Sequence, residues 1–244
     1  AVPSQAKGLG MRLSLREPLR PCLVCEYMPG ASLKVRLRHC RRGPASDSNS
    51  DDCGAGDGRG SKEPLSPHER FSIASDVARA LTFLHTVCDP PIVHQDIKSD
   101  NILLGVGAPG SDGGGTVIAK LADFGTVRLV PELAKMRQAD SSGTTPTHHS
   151  TKHVVGSGPY MPPESYMAGR IGPKTDTFAF GLVLLELLTG KPPVDPHTRA
   201  SLAGELTRAT ASEAAARTLF VPHLDAKASP SGWSDADASA ACSL

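Results

Sequence analysis

No uninterrupted apolar run in the 244 residues reaches the ~20 needed to cross a bilayer; the longest, residues 178 to 188, is shorter and carries Glu186. Charge of one sign is also missing. The 26 Lys and Arg nearly cancel the 25 Asp and Glu, so composition makes no case for nucleic acid or an anionic membrane surface as a partner. A second Cys pair is missing: Cys22-x-x-Cys25 has metal-ligand spacing, but a tetrahedral zinc site needs four ligands. His148, His149 and His153 sit among Ser, Thr and Gly and read as a solvated loop. The glycine-rich run between Leu104 and Thr116 does not end in the Gly-Lys-Ser/Thr of a Walker loop, so it reads as an enlarged hairpin turn. Nothing near Ala1 looks like a signal peptide, and the chain is expected to be a piece of a longer one. Hydrophobic content is low at 39%, while 24 Gly and 21 Pro promise long loops. The length suits one large domain or two small ones.

Leu9, Met11, Leu13 and Leu15 alternate with polar or small residues and predict a strand, broken by Pro18 and Pro21. The continuous apolar run from Cys22 to Met28, closed by Pro29-Gly30, predicts a second strand and a turn. Leu33 and Leu37 share one face of a short predicted helix. Residues 41 to 64 hold almost no apolar side chain and are expected to be a disordered insertion. Ser66-Pro67-His68-Glu69 is a helix start: Ser66 caps, Pro67 fits the first turn and Glu69 completes a capping box. Phe71, Ala74, Val77, Leu81 and Leu84 then recur at helical spacing, predicting a helix over about 67–85. A helix opening at Lys174-Thr175-Asp176 is apolar on nearly every face until Gly190 and Pro192-Pro193 stop it. Such a helix belongs in an interior. An Ala-rich stretch, 201–218, predicts one more helix, and residues 226–244 an unstructured tail.

The chemistry concentrates in two motifs. His94-Gln95-Asp96-Ile97-Lys98-Ser99-Asp100-Asn101 reads H-x-D-x-K-x-x-N, and Asp123-Phe124-Gly125 reads D-F-G. Between them lie the apolar runs Ile102-Leu103-Leu104 and Val117 to Leu121. Strand, turn, strand puts Asp96, Lys98, Asn101 and Asp123 at one edge of a small sheet. Two carboxylates, an amide oxygen and an ammonium are what phosphoryl transfer needs. A carboxylate orients and deprotonates a hydroxyl, oxygen ligands hold magnesium, and a cation offsets charge on the moving phosphoryl group.

On these motifs the chain resembles a eukaryotic protein kinase, of the plant receptor-like and interleukin-1-receptor-associated type. Gly156-Ser157-Gly158-Pro159-Tyr160-Met161-Pro162-Pro163-Glu164 is similar to the stretch that closes the activation segment in such kinases, and residues 180–190 resemble their central helix. The resemblance covers roughly residues 8 to 225. It implies an α+β, protein-kinase-like fold: a mostly helical large lobe (31–225) with a remnant of the antiparallel small-lobe sheet and the hinge (1–30). It implies Ser/Thr kinase activity with ATP and Mg2+ as cofactors, a protein substrate, a cytoplasmic location and cysteines left as free thiols. Asp96 would be the base and Lys98 the cation on the phosphoryl group. Asn101 and Asp123 would hold magnesium. Cys25 would take the gatekeeper place, with Glu26, Tyr27 and Met28 as the hinge against adenine. Asp176 would hydrogen-bond the catalytic-loop backbone. The activation segment would offer Ser141, Ser142, Thr144, Thr145, Thr147, Ser150 and Thr151 to phosphorylation.

The departures are specific. No G-x-G-x-x-G precedes the hinge, and no strand with the nucleotide Lys or helix with its Glu partner stands upstream. Gln95 replaces the family's frequent Arg. The late Arg that pairs with Glu164 is not evident, leaving Arg199, Arg208 and Arg217 as stand-ins. The chain alone is therefore expected to transfer phosphate poorly. Two other functions compete: a pseudokinase or scaffold without catalysis, and a small-molecule phosphotransferase. The Pro-Pro-Glu segment argues against the second, because in the family that region docks protein substrates.

Overall fold

The computed structural model describes residues 22–41, 64–109, 115–131, 149–150 and 156–204. Among the described residues, four α-helices, α1 (Leu33–Arg41), α2 (Pro67–Thr82), α3 (Pro163–Ala168) and α4 (Pro173–Thr189), carry most of the regular structure. Among the described residues, six strands form three separate antiparallel pairs: β1 (Ile92–Val93) with β4 (Arg128–Leu129), β2 (Ile102–Pro109) with β3 (Gly115–Leu121), and β5 (His149–Ser150) with β6 (Arg170–Ile171).

The start of α2 follows from its cap. Ser66 Oγ accepts from Glu69 N at 3.2 Å, and Ser66 N donates back to Glu69 Oε2 at 2.7 Å, so two orphan donors of the first turn are satisfied reciprocally. Ile73, Val77 and Leu81 then bury one face. The α-helix stops at Thr82, earlier than the periodicity predicts, because one π-turn over Phe83–Val87 continues the chain.

Helix α4 is the axis of the core. Leu182, Val183 and Leu187 join Ile73, Val77, Ile97, Ile102 and Leu104 in one buried cluster. Its end is held by Gly190 in the left-handed conformation, whose N–H donates to Glu186 O. Arg70, fully buried, donates to the carbonyls of Leu65 and Leu187. A cation thus satisfies a carbonyl at the negative end of α4. The face is not uniformly covered: Phe178 is 40% exposed.

The β2–β3 hairpin lies against α2, which also covers its edge. Asp76 Oδ2 accepts from Ala119 N and Ser72 Oγ donates to Val117 O, so β3 does not present a bare row of backbone groups there.

The run 22–28 corrects a sequence expectation. It forms no strand, and Leu23 and Val24 are 95% and 96% exposed. A strand needs a neighbour to take its backbone hydrogen bonds, and none of the described strands pairs its backbone with this run. Pairing begins only at the turn: Gly30 N donates to Leu104 O, Leu104 N donates to Ala31 O, and Ser32 bridges Leu103. A Cβ on Gly30 would sit 2.7 Å from Leu104 O, so this close approach requires glycine. The expected strand at Leu9–Leu15, the tail 226–244 and all of the insertion but its ends lie outside the described residues. Of those ends, Arg41 belongs to α1. Of the helix expected over 201–218, only 201–204 are described: Ser201 bridges Val194, and 202–204 are helical.

Candidate active site

The loop 94–101 runs between β1 and β2, and α4 fixes it from below. Asp176, in the first turn of α4, accepts from His94 N and Gln95 N at 2.8 Å each, and its Oδ2 also meets His85 Nε2 at 2.8 Å. A buried carboxylate with three partners needs no water. The contact to the loop backbone is the one the resemblance implies for Asp176; His85 is an addition that sequence reasoning missed.

Asp96 is buried at the loop's centre, and four donors engage its carboxylate. Lys98 Nζ reaches Oδ2 at 2.7 Å and Asn101 Nδ2 reaches it at 3.0 Å. Ser157 donates to Oδ1 from its backbone N at 3.1 Å and its hydroxyl at 2.8 Å. Burial pushes the Asp96 carboxyl up, but the hydrogen bonds from Lys98, Ser157 and Asn101 and the Lys98 charge outweigh it, and the result lies below the ordinary Asp value. Lys98 Nζ also donates to Ser157 Oγ at 2.9 Å. Asp96, Lys98 and Asn101 therefore share one constellation with Ser157. Ser157 was legible only as a motif match, with no role assigned.

Asp123 is placed beside this group, not in contact with it. Ala122 N donates to Asn101 O at 2.9 Å, which brings the D-F-G turn to the end of the catalytic loop. The Asp123 side chain is exposed, in left-handed backbone (φ 62°), and accepts from Gly125 N at 3.3 Å. The Phe124 ring stands edge-on to His94, centroids 5.0 Å apart. Among the described residues, neither the Asn101 amide oxygen nor the second oxygen of Asp123 has a hydrogen-bond partner. No three His, Cys, Asp or Glu side chains of the described residues converge as a metal cage. Two hard oxygen donors without a cage fit Mg2+, which keeps waters and shares phosphate oxygens.

The expected gatekeeper Cys25 is exposed; of the three residues expected as the hinge, Glu26 and Tyr27 are exposed and Met28 is buried. Glu26 pairs with Lys120 of β3, and the Met28 methyl lies against Gly105 of β2. The segment thus passes along the hairpin whose ends carry Asn101 and Asp123. Among the described residues Arg199 makes no ion pair with Glu164; Arg208 and Arg217 lie outside them.

A second buried carboxylate went unassigned in the sequence. Glu186 of α4 accepts from Ser99 Oγ at 3.1 Å and Tyr160 Oη at 2.8 Å, and those two hydroxyls lie 3.1 Å apart. Burial, chiefly, pushes the Glu186 carboxyl up to about 7, against the hydrogen bonds from Tyr160 and Ser99. The geometry agrees: three oxygen–oxygen contacts share two hydroxyl protons, and a proton on Glu186 supplies the third. An ionisable residue inside an apolar run is the signal that marks it.

The protein kinase domain model matches residues 11–230. A probable LRR receptor-like serine/threonine-protein kinase of Arabidopsis thaliana is 36% identical over 183 residues, covering 75% of this chain and 16% of the relative. Receptor-like protein kinase 5 of the same plant is 39% identical over 173 residues, covering 71% and 14%. Its calmodulin-binding receptor-like cytoplasmic kinase 2 is 35% identical over 173 residues, covering 71% and 33%. The chain spans a third or less of the length of these relatives.

Proposed function

From the premise that the chain belongs to the protein kinase family, we propose that it transfers the γ-phosphoryl group of ATP to Ser and Thr hydroxyls of protein substrates, as part of a longer product. The observation that carries the reading is the Asp96 carboxylate, ionised and gripped by Lys98, Asn101 and Ser157. A carboxylate held in one rotamer orients a substrate hydroxyl and accepts its proton as the phosphoryl group moves. Lys98, already at the same oxygen, sets a positive charge where the phosphoryl oxygens would pass. Asn101 Oδ1 and the Asp123 carboxylate would hold magnesium, which supplies charge neutralisation on the phosphates when bound. Residues 26–28 would meet adenine with backbone groups, with Cys25 as gatekeeper. The division into a small-lobe remnant and hinge (1–30) and a large lobe (31–225) belongs to the same proposal, as does a cytoplasmic location.

The alternative that the same test separates is a non-catalytic kinase-like binding module. The test is incorporation of radiolabelled phosphate into a protein substrate by the natural product that contains this chain, beside its Asp96→Asn variant. The enzyme reading expects incorporation that falls ~10²–10⁴-fold in the variant. Equal incorporation in both would overturn the assignment of Asp96, and none in either favours the binding module. The isolated chain is expected to incorporate far less than the natural product.

A further inference from the structure

Three buried side chains tie the catalytic loop to the turn at 158–160. Glu186 of α4 is 4% exposed, Tyr160 8% and Ser99 0%. Ser99 Oγ and Tyr160 Oη donate to the two oxygens of Glu186 at 3.1 and 2.8 Å, and lie 3.1 Å from each other. Ser99 follows Lys98 directly, and Tyr160 N donates to Ser157 O at 2.9 Å. Lys98 and Ser157 both hold the Asp96 carboxylate. Loop and turn are therefore joined twice, once at Asp96 and once at Glu186. The second joint depends on a proton count. Three oxygen–oxygen contacts need three protons, and the two hydroxyls bring two. Burial, chiefly, pushes the Tyr160 hydroxyl far above its ordinary value, so it stays protonated. The proton that can leave is the one on Glu186.

We propose that Glu186 holds a proton in the working enzyme and is a positioning residue, whose ionisation parts Ser99 from Tyr160 and loosens Ser157 from Asp96. The effect on rate rests on the kinase reading; the coupling of loop and turn rests on the cluster itself. The surroundings set the direction. Among the described residues, the charged groups near Glu186 are Asp100 of the loop, Lys34 and Arg38 of α1 and Lys191 beyond α4. Lys34 is engaged by Asp100, whose two oxygens it meets at 2.8 and 2.7 Å. Arg38 and Lys191 are exposed, where water and salt screen them. Burial first, and the Asp100 charge after it, oppose a charge on Glu186 and outweigh its two hydrogen bonds and Lys34; the carboxyl titrates at about 7. Once it ionises, the Ser99–Tyr160 contact has no proton, and two oxygens face each other in a buried cluster. The joint is closed below about pH 7 and opens above it. A carboxylate base acting alone gives the opposite trend, a rate that rises with pH and then levels.

The test is amide hydrogen exchange of the purified 244-residue chain at pH 6 and pH 8, in wild type and Glu186→Gln, corrected for the intrinsic rate at each pH. Gln offers one acceptor and one donor, and so copies the protonated carboxyl at every pH. The reporting amides are those of Ser157, Tyr160 and Met161, whose acceptors are Asp96 Oδ1, Ser157 O and Gly158 O. From pH 6 to pH 8 their protection is expected to fall about tenfold further in wild type than in Glu186→Gln. In the natural product, the ratio of wild-type to variant kcat is expected to fall about threefold over the same interval. Should Glu186→Gln fail to fold, Ser99→Ala takes its place. It removes a donor that favours the ionised carboxylate, so the loss of protection should move to higher pH. A loss equal in wild type and Glu186→Gln, a loss that Ser99→Ala leaves where it was, or a constant kcat ratio in an active natural product would each overturn the proposal. The two readings fail separately. The expected protection without incorporation at any pH refutes the kinase reading alone, and incorporation without the protection difference refutes the coupling alone.

Discussion

Asp96 sits 7% exposed at the margin of the core, both carboxylate oxygens engaged by Lys98, Asn101 and Ser157, whereas Asp123, on the neighbouring turn, is exposed and, among the described residues, bonds only to the backbone of its own turn. The two stand at the ends of one hairpin, and the backbone joins them through Ala122 and Asn101. What differs is what lies underneath. Below the catalytic loop runs α4, which sends Asp176 to the loop's start and Glu186 to Ser99 near its end. Below the D-F-G turn, among the described residues, lie His94, edge-on to Phe124, and the neighbouring Gln95, whose amide donates to Thr126 O, with no helix beneath them to fix Asp123. Half of the site is thus built into the core and the other half is left to be set by what binds there. In phosphoryl transfer that division has a use. On the proposed function, the group that orients the hydroxyl must be fixed beforehand, while the Asp123 side chain need settle only when metal and nucleotide bind.

The largest expected effect tests the built half. Asp176→Ala strands the buried N–H groups of His94 and Gln95 and removes the partner of His85. A loss of roughly 3–5 kcal/mol is expected from urea unfolding. Asp176→Asn, which keeps acceptor capacity, is expected to lose about half as much. A loss below ~1 kcal/mol would mean that α4 does not hold the loop, and the contrast between the two halves would fall.

Next comes the pH dependence of Glu186, whose carboxyl is pushed from 4.5 up to about 7. The folded chain then holds a proton that the unfolded chain has released. Stability contributed by this group is present below the unfolded value and declines as pH rises to about 7, by at most roughly 3 kcal/mol. Wild type and Glu186→Gln should be unfolded in urea at pH 5 and pH 8. The difference between them should shift in favour of Gln at the higher pH. A difference that does not change with pH would show that Glu186 is ionised throughout.

A smaller effect concerns the link between the catalytic loop and the segment after D-F-G. Gln95 Nε2 donates to Thr126 O at 2.8 Å. A neutral amide cannot form the charge-assisted bidentate pair that Arg makes with phosphate, and this bond already ties loop to segment. Ala substitutions at Thr144, Thr145, Thr147, Ser150 and Thr151 in the natural product should leave phosphate incorporation within a few-fold, below ~1 kcal/mol. A collapse of incorporation would place a needed phosphate on the segment.

How much of this was legible in the sequence depended on whether the signal was local. The Ser66/Glu69 cap, the stop at Gly190 and the order of the two motifs are written in neighbouring residues, and each is found in the fold. The fixing of Asp96 by Ser157, 61 positions away, is not local. Nor are the partners of Asp176 and Glu186, which pattern alone shows only as charges in an apolar helix. The run 22–28 failed for the reverse reason. Its β-branched and apolar content is local, but a strand is a property of a pair.

The smallest effect is the sharpest test of the open half, because it asks for almost nothing. Asp123→Asn keeps a side chain that tolerates the left-handed backbone at φ 62° and can still accept from Gly125 N. It removes only the charge, and that charge has no described cationic partner. Urea unfolding should therefore move by no more than ~0.5 kcal/mol. Mg2+-dependent nucleotide binding by the natural product, read by calorimetry, should weaken at least about tenfold, since one of two hard ligands has lost its charge. The conjunction is what matters. A stability loss above ~1 kcal/mol would reveal a folded-state partner for Asp123 and make its turn as built as the catalytic loop. Unchanged Mg2+ dependence would leave the turn without a role in holding the metal.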